Sequence, residues 1–155
     1  MTLPLETVSP QGPPAYFDTT VASGQAVQAD HRPQLDEIAL LRLVDRFYER
    51  VRADPLLAPV FGAAVSDWDD HLARLTDFWS SVMLTSGRYK GNPVALHLLH
   101  AGAMTPERFE RWLALWTLTS GEMLPADTAT IIQGKAARIA ESLQLAIEFR
   151  PSPAA

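Results

Sequence analysis

The chain has 155 residues, 47% of them hydrophobic, and a formal net charge of −5. That length matches one ordinary domain with a single core, and the missing cationic footprint argues against a nucleic-acid backbone or an anionic membrane surface as partner. The sequence contains no cysteine, which excludes disulfides, thiolate metal sites and a cysteine nucleophile and leaves His, carboxylates or a cofactor to hold any metal.

The opening MTLPLETVSPQGPP has no basic leader and no apolar run of secretory length, and no stretch of about 18 uncharged apolar residues occurs anywhere. A cytoplasmic protein without a membrane span is therefore expected. Five of the twelve prolines fall in the first 33 residues, among Gly, Ser, Thr and Gln. Such a mixture buries little surface to offset the entropy of ordering, so residues 1–34 are expected to form a flexible Pro-rich extension. Residues 35–150 are expected as the folded domain and 151–155 as a short tail.

From Leu35 the apolar residues Leu35, Ile38, Leu41, Val44, Phe47, Tyr48 and Val51 recur at helical spacing and predict a helix of about five turns. Pro55 and Pro59 in ADPLLAPVFG end it, and a tight corner containing Phe61 should follow. Ser66 with Asp69 three residues later is close to a capping box, which predicts a helix from about Asp67 to Leu84. Its expected buried stripe is Trp68, His71, Leu72, Leu75, Phe78, Trp79 and Val82. A Gly-containing loop, TSGRYKGN, leads to Pro93 and a short helix reaching His100, with AGAM as a loop after it. Thr105-Pro106-Glu107 has the order that starts a helix, burying Phe109, Trp112, Leu113, Leu115 and Trp116. A last helix from about Ala126 to Phe149 turns Ile131, Ile132, Ile139, Leu143 and Ile147 inward. No segment reads as a strand.

Four polar side chains, Tyr48, His71, His97 and Trp112, each sit in the apolar stripe of a different helix. Singly, each can be core: a tyrosine that buries its ring, a satisfied histidine, an indole that fills volume. Together they suit a flat apolar cofactor between helices, which needs a ligating imidazole on one side and polar donors on the other, and haem fits that description. His97 and His100 could instead form half of a zinc site, but no second close pair of ligands accompanies them. Neither a GxSxG nucleophile motif nor a glycine-rich phosphate loop is present.

In this order the segments resemble the truncated haemoglobins, specifically group III, from about Leu35 to Phe149. FYERVRADPLLAPVF is similar to the family's second helix and corner, WDDHLARLTDFW to its distal helix, GRYKGNPVALH to the loop and proximal helix, and TPERFERWLALW to the helix that follows. The resemblance implies an all-α truncated globin fold, a two-over-two helical sandwich around haem b. It makes His97 the axial ligand and places Tyr48, His71 and Trp112 in the distal pocket, with Phe61, Leu75, Phe78, Trp79, Val94, Leu96 and Trp116 against the cofactor. Arg74, one turn beyond His71, is the first choice for a haem propionate and Tyr89 the second. HLLHAGAMTPE is one residue longer than the family's usual pattern, which keeps His100 as the alternative axial ligand.

The ligands implied are O2, NO, CO or peroxide, with an unidentified reductase as partner. Several donors around one bound O2 predict slow release, which suits NO dioxygenation or peroxide-type chemistry better than storage. The alternatives are a haem-based gas carrier or sensor without turnover, a globin-like fold without haem, and a four-helix interaction module.

Overall fold

The computed structural model describes residues 35–150. The expected N-terminal extension (1–34) and the C-terminal tail (151–155) lie outside the described residues. Those described form α1 (Glu37–Ala53), α2 (Ala58–Ala64), α3 (Trp68–Leu84), α4 (Pro93–Leu98), a 3-10 turn (Ala101–Ala103), α5 (Pro106–Met123) and α6 (Ala126–Glu148). None of these helices is long and apolar enough to cross a membrane. The long helices make two layers of two, α1 with α3 and α5 with α6, joined where α1 crosses α5; α4 leans on α6.

Local chemistry explains most helix ends. Asp36 starts α1 by accepting from Ala39 N at 2.8 Å, with Glu37 complementing the dipole of the first turn. Asp67, rather than the expected Ser66, caps α3 by accepting from Asp70 N at 3.1 Å. Aspartate caps as well as serine and adds a charge that the helix N-terminus favours, so the start lies one residue later. Thr105 Oγ1 caps α5, with Pro106 in the first position. The expected corner around Phe61 is instead the short helix α2: Pro59 lies in its first turn, where a missing N–H costs nothing. The expected AGAM loop is the 3-10 turn, and α4 ends two residues before His100.

Asp54, in the break after α1, does three jobs. Its Oδ1 accepts from Leu56 N and Leu57 N at 3.0 and 3.2 Å, and its Oδ2 accepts from Arg111 Nε of α5 at 2.7 Å. Burial opposes ionisation, yet the two backbone N–H groups and the guanidinium outweigh it and hold the carboxyl below its ordinary value.

The core is aromatic. Trp116, fully buried, stacks between Trp79 (centroids 4.5 Å apart, 18° between planes) and Trp112 (5.8 Å, 1°), while Phe47 meets its edge at 4.8 Å. Leu40, Leu43, Val44 and Val51 complete the inner face of α1. Ile38 and Leu41, expected to be inward, are 60% and 45% exposed, because the true stripe runs through Leu40 and Leu43. Ile131 is likewise exposed and Ile132 buried. A smaller cluster, Phe109, Ala140 and Leu143 with Met104 and Ile139 beside them, joins α5 to α6 at the end facing α4.

Candidate functional site

Every helix contributes to the wall of one cavity of about 620 Å³. Tyr48 comes from α1, Phe61 from α2, His71, Arg74, Leu75, Phe78 and Trp79 from α3, Tyr89 from the following loop, Leu96 and His97 from α4, and Trp112 from α5. Two residues expected beside a cofactor are not on that wall. Trp116 is taken up by the tryptophan stack, and Val94 is a partly exposed residue in the first turn of α4.

Tyr48 is 3% exposed and meets His71, Phe61 and Phe47 through ring edges. Burial pushes its phenol well above the ordinary value, and a hydrogen bond from the Trp112 indole lowers it only in part. The phenol is therefore protonated. A protonated phenol keeps an O–H that can be donated to a group in the cavity.

His71 is walled by aromatic rings, with Tyr48 and Trp68 both 5.5 Å away in edge-on contact. Trp68 is itself held from outside by Arg52, whose guanidinium lies 4.5 Å over the ring. The Nε2 atom of His71 is buried and has no hydrogen-bond partner. Burial lowers the tendency of this imidazole to protonate, and the positive character of His97 and Arg74 lowers it further.

Elsewhere on the cavity wall, Asn92 Oδ1 accepts from Ala95 N at 3.1 Å and Pro93 takes the first position, which together start α4 after an irregular loop. His97 Nδ1 then lies 2.5 Å from the Pro93 carbonyl oxygen. That bond requires a proton on Nδ1 and leaves a lone pair on Nε2. Burial disfavours protonation of His97, against the pull of the Pro93 carbonyl. His100 also reaches the cavity, but it is exposed and no backbone acceptor orients its ring. Leu96 and Leu99, 49% and 76% exposed, also line the cavity and add apolar area suited to a flat apolar group.

The rim is polar. Arg74 pairs with Asp70 at 2.9 Å in a largely exposed position. Tyr89 is placed by its backbone N–H, which donates to Ser81 Oγ at 2.9 Å, and by an edge-on contact with Phe78 at 5.3 Å. Its ring reaches across Gly91, where a Cβ would stand 2.5 Å from the hydroxyl. Three rim cations, Arg88, Lys90 and Arg108, were not anticipated from sequence, since nothing in their spacing separates them from surface charges. The same holds for the floor made by Ile139, Ala140 and Leu143, which read as ordinary core of α6. Among the described residues, no three His, Cys, Asp or Glu side chains cluster as a direct metal site.

No protein-family model matches the chain. It is 30% identical over 114 residues to the Group 3 truncated hemoglobin ctb of Campylobacter jejuni, spanning 71% of this chain and 89% of that relative. Its fold is similar to the crystal structure of a group III truncated hemoglobin from Campylobacter jejuni, with a TM-score of 0.66 at 29% identity, covering 77% of this chain and 97% of the other. Two layers of helices, imidazoles on the wall of one largely apolar cavity and this degree of similarity lead to one conclusion: the chain belongs to the group III truncated haemoglobins, and is a globin of the haem-binding kind.

Proposed function

We propose that the cavity holds haem b with His97 as its axial ligand, and that Tyr48, His71 and Trp112 handle small ligands on the opposite face, serving NO/O2 or peroxide chemistry rather than oxygen storage. The observation that carries this reading is the bond from His97 Nδ1 to the Pro93 carbonyl, which fixes the tautomer and aims the basic nitrogen away from its own helix. His100 lacks such an orienting partner.

The haem, when bound, would supply an iron that takes a diatomic ligand or peroxide. The chain does the rest. Burial keeps the Tyr48 phenol protonated beside Trp112, so that its O–H would be available to a ligand on which negative charge develops. Leu75, Phe78, Trp79, Leu96 and Phe61 exclude water from the apolar faces of the macrocycle. Arg74 exchanges Asp70 for a propionate, and Tyr89 offers a hydroxyl at the same rim. Donors on this wall favour slow ligand release, which gives time for reaction with NO or for peroxide chemistry, with electrons from a separate reductase.

The test is an optical titration of the purified chain with hemin, run for wild type, His97→Ala and His100→Ala, followed by reduction and CO. One-to-one uptake with a Soret band that is lost or strongly altered only in His97→Ala is the expected result. Loss confined to His100→Ala moves the axial ligand one turn along the chain, and no uptake by wild type contradicts the reading. Nitrate formation from NO by the oxygenated protein then separates turnover from mere carriage.

A further inference from the structure

His71 is the one cavity imidazole whose ring atom is buried with nothing to bond. Its Nε2 has no partner, although tyrosine and tryptophan donors stand close by. The obvious candidate, Tyr48, meets His71 through an edge contact of the rings at 5.5 Å and makes no hydrogen bond to it. Burying a polar nitrogen without a partner is unfavourable, so a group normally occupying the cavity should satisfy it.

Aromatic rings stand on several sides of His71. Tyr48, Phe61 and Trp68 surround it, and Arg52 braces Trp68 from outside. It lines the same cavity as His97. An imidazole nitrogen without a hydrogen-bond partner can present a lone pair, which is what a metal takes. The groups facing it are His97, Arg74 and Asp70, together with the neutral Tyr48 phenol; the one carboxylate among them is paired to Arg74.

We infer that His71 is an endogenous sixth ligand, its Nε2 binding the haem iron opposite His97 in the resting protein and leaving only when an external ligand arrives. This rests on the haem reading above. The step moves no electrons between centres: the Nε2 lone pair forms one bond to iron, and an incoming diatomic breaks it and takes the same position, releasing the imidazole. Binding of any gas is then gated by the departure of His71.

The test uses the full chain reconstituted with haem. Ferric wild type at neutral pH should show a low-spin, six-coordinate optical and electron-paramagnetic-resonance signature, and His71→Leu should turn it high-spin. His71→Gln, a polar replacement of similar length, provides the same comparison if the leucine variant does not fold. In the ferrous state, the CO association rate of wild type should level off with rising CO, limited by His71 dissociation. In the variant it should rise in proportion to CO and exceed the wild-type limit by at least about tenfold, the factor that corresponds to about 1.4 kcal/mol of bond to be broken. A high-spin ferric wild type, with water in place of His71, overturns the inference, as does a low-spin signature that survives in the variants. Either result leaves the haem reading standing when uptake is one-to-one and depends on His97, whereas failure of wild type to take up haem overturns both.

Discussion

The Nδ1 nitrogen of His97 lies 2.5 Å from the carbonyl oxygen of Pro93, which opens the same six-residue helix. The two residues depend on each other. Pro93 starts the helix where its missing N–H is harmless, and its carbonyl then selects the histidine tautomer that leaves Nε2 free. A helix this short would be marginal alone, so its docking against α6 holds the imidazole in place.

Tyr48 and Trp112 share the cavity wall and should differ in kinetic effect. Tyr48→Phe removes the proton directed at the ligand and should speed O2 release about 10- to 100-fold, equivalent to about 1.4–2.8 kcal/mol. Trp112→Phe only loosens the phenol and should give a smaller change, measurable by stopped-flow displacement with CO. A Trp112→Phe effect equal to or larger than that of Tyr48→Phe means that the indole donates to the ligand directly.

Asp54 links the α1–α2 break to α5 and should show in acid unfolding. Its folded value lies below the ordinary carboxylate value, so its contribution is complete above the unfolded value and disappears as pH falls through the folded one. Asp54→Asn should lower stability at neutral pH by roughly 2 kcal/mol, less than for a fully buried pair because Arg111 is half exposed, and should flatten the acid limb of the urea midpoint. An unchanged acid limb would show that the carboxylate is not ionically coupled to the fold.

The cofactor-free chain carries two half-buried imidazoles, His71 and His97, both held below the ordinary histidine value. The unfolded chain therefore binds protons more readily than the folded one as pH drops below about 6.5, and stability is lost as pH falls through that window. Urea unfolding of the apoprotein between pH 7 and pH 5 should show this slope, and His71→Leu should reduce it. A slope of the opposite sign would mean that a partner stabilises the imidazolium forms.

Thr85 ends α3 with φ +56°, a left-handed conformation that costs a β-branched residue about 1–2 kcal/mol. Thr85→Gly removes that cost and adds back about 0.5–1 kcal/mol of unfolded-chain entropy, for a net gain of about 0.5–1 kcal/mol. Thermal unfolding of the variant checks it, and a lower midpoint would reveal a contact of the threonine side chain that outweighs the strain.

Much of this was legible in the sequence because the signals are local. Caps, prolines and three-to-four spacing placed five helices near their observed positions, and polar residues within apolar stripes pointed to Tyr48, His71, His97 and Trp112. What failed needed tertiary information. Whether Pro59 ends one helix or starts another depends on where Asp54 turns the chain, and which of Leu40 or Leu41 faces inward depends on how α1 is rotated against α3 and α5. Trp116 and Trp112 are four residues apart on one face; only the stack with Trp79 shows that one is core and the other reaches the cavity. Arg108 could not be told from a surface arginine until its neighbours were in place.

The most direct test of the central claim is to replace the proposed ligand by a free one. His97→Gly protein mixed with hemin should give an altered Soret band that imidazole, added at millimolar concentration, returns to the wild-type position, with CO binding to the reduced form restored in parallel. A His97→Gly spectrum identical to wild type before imidazole is added would show that another residue holds the iron, and the assignment of His97 would be wrong.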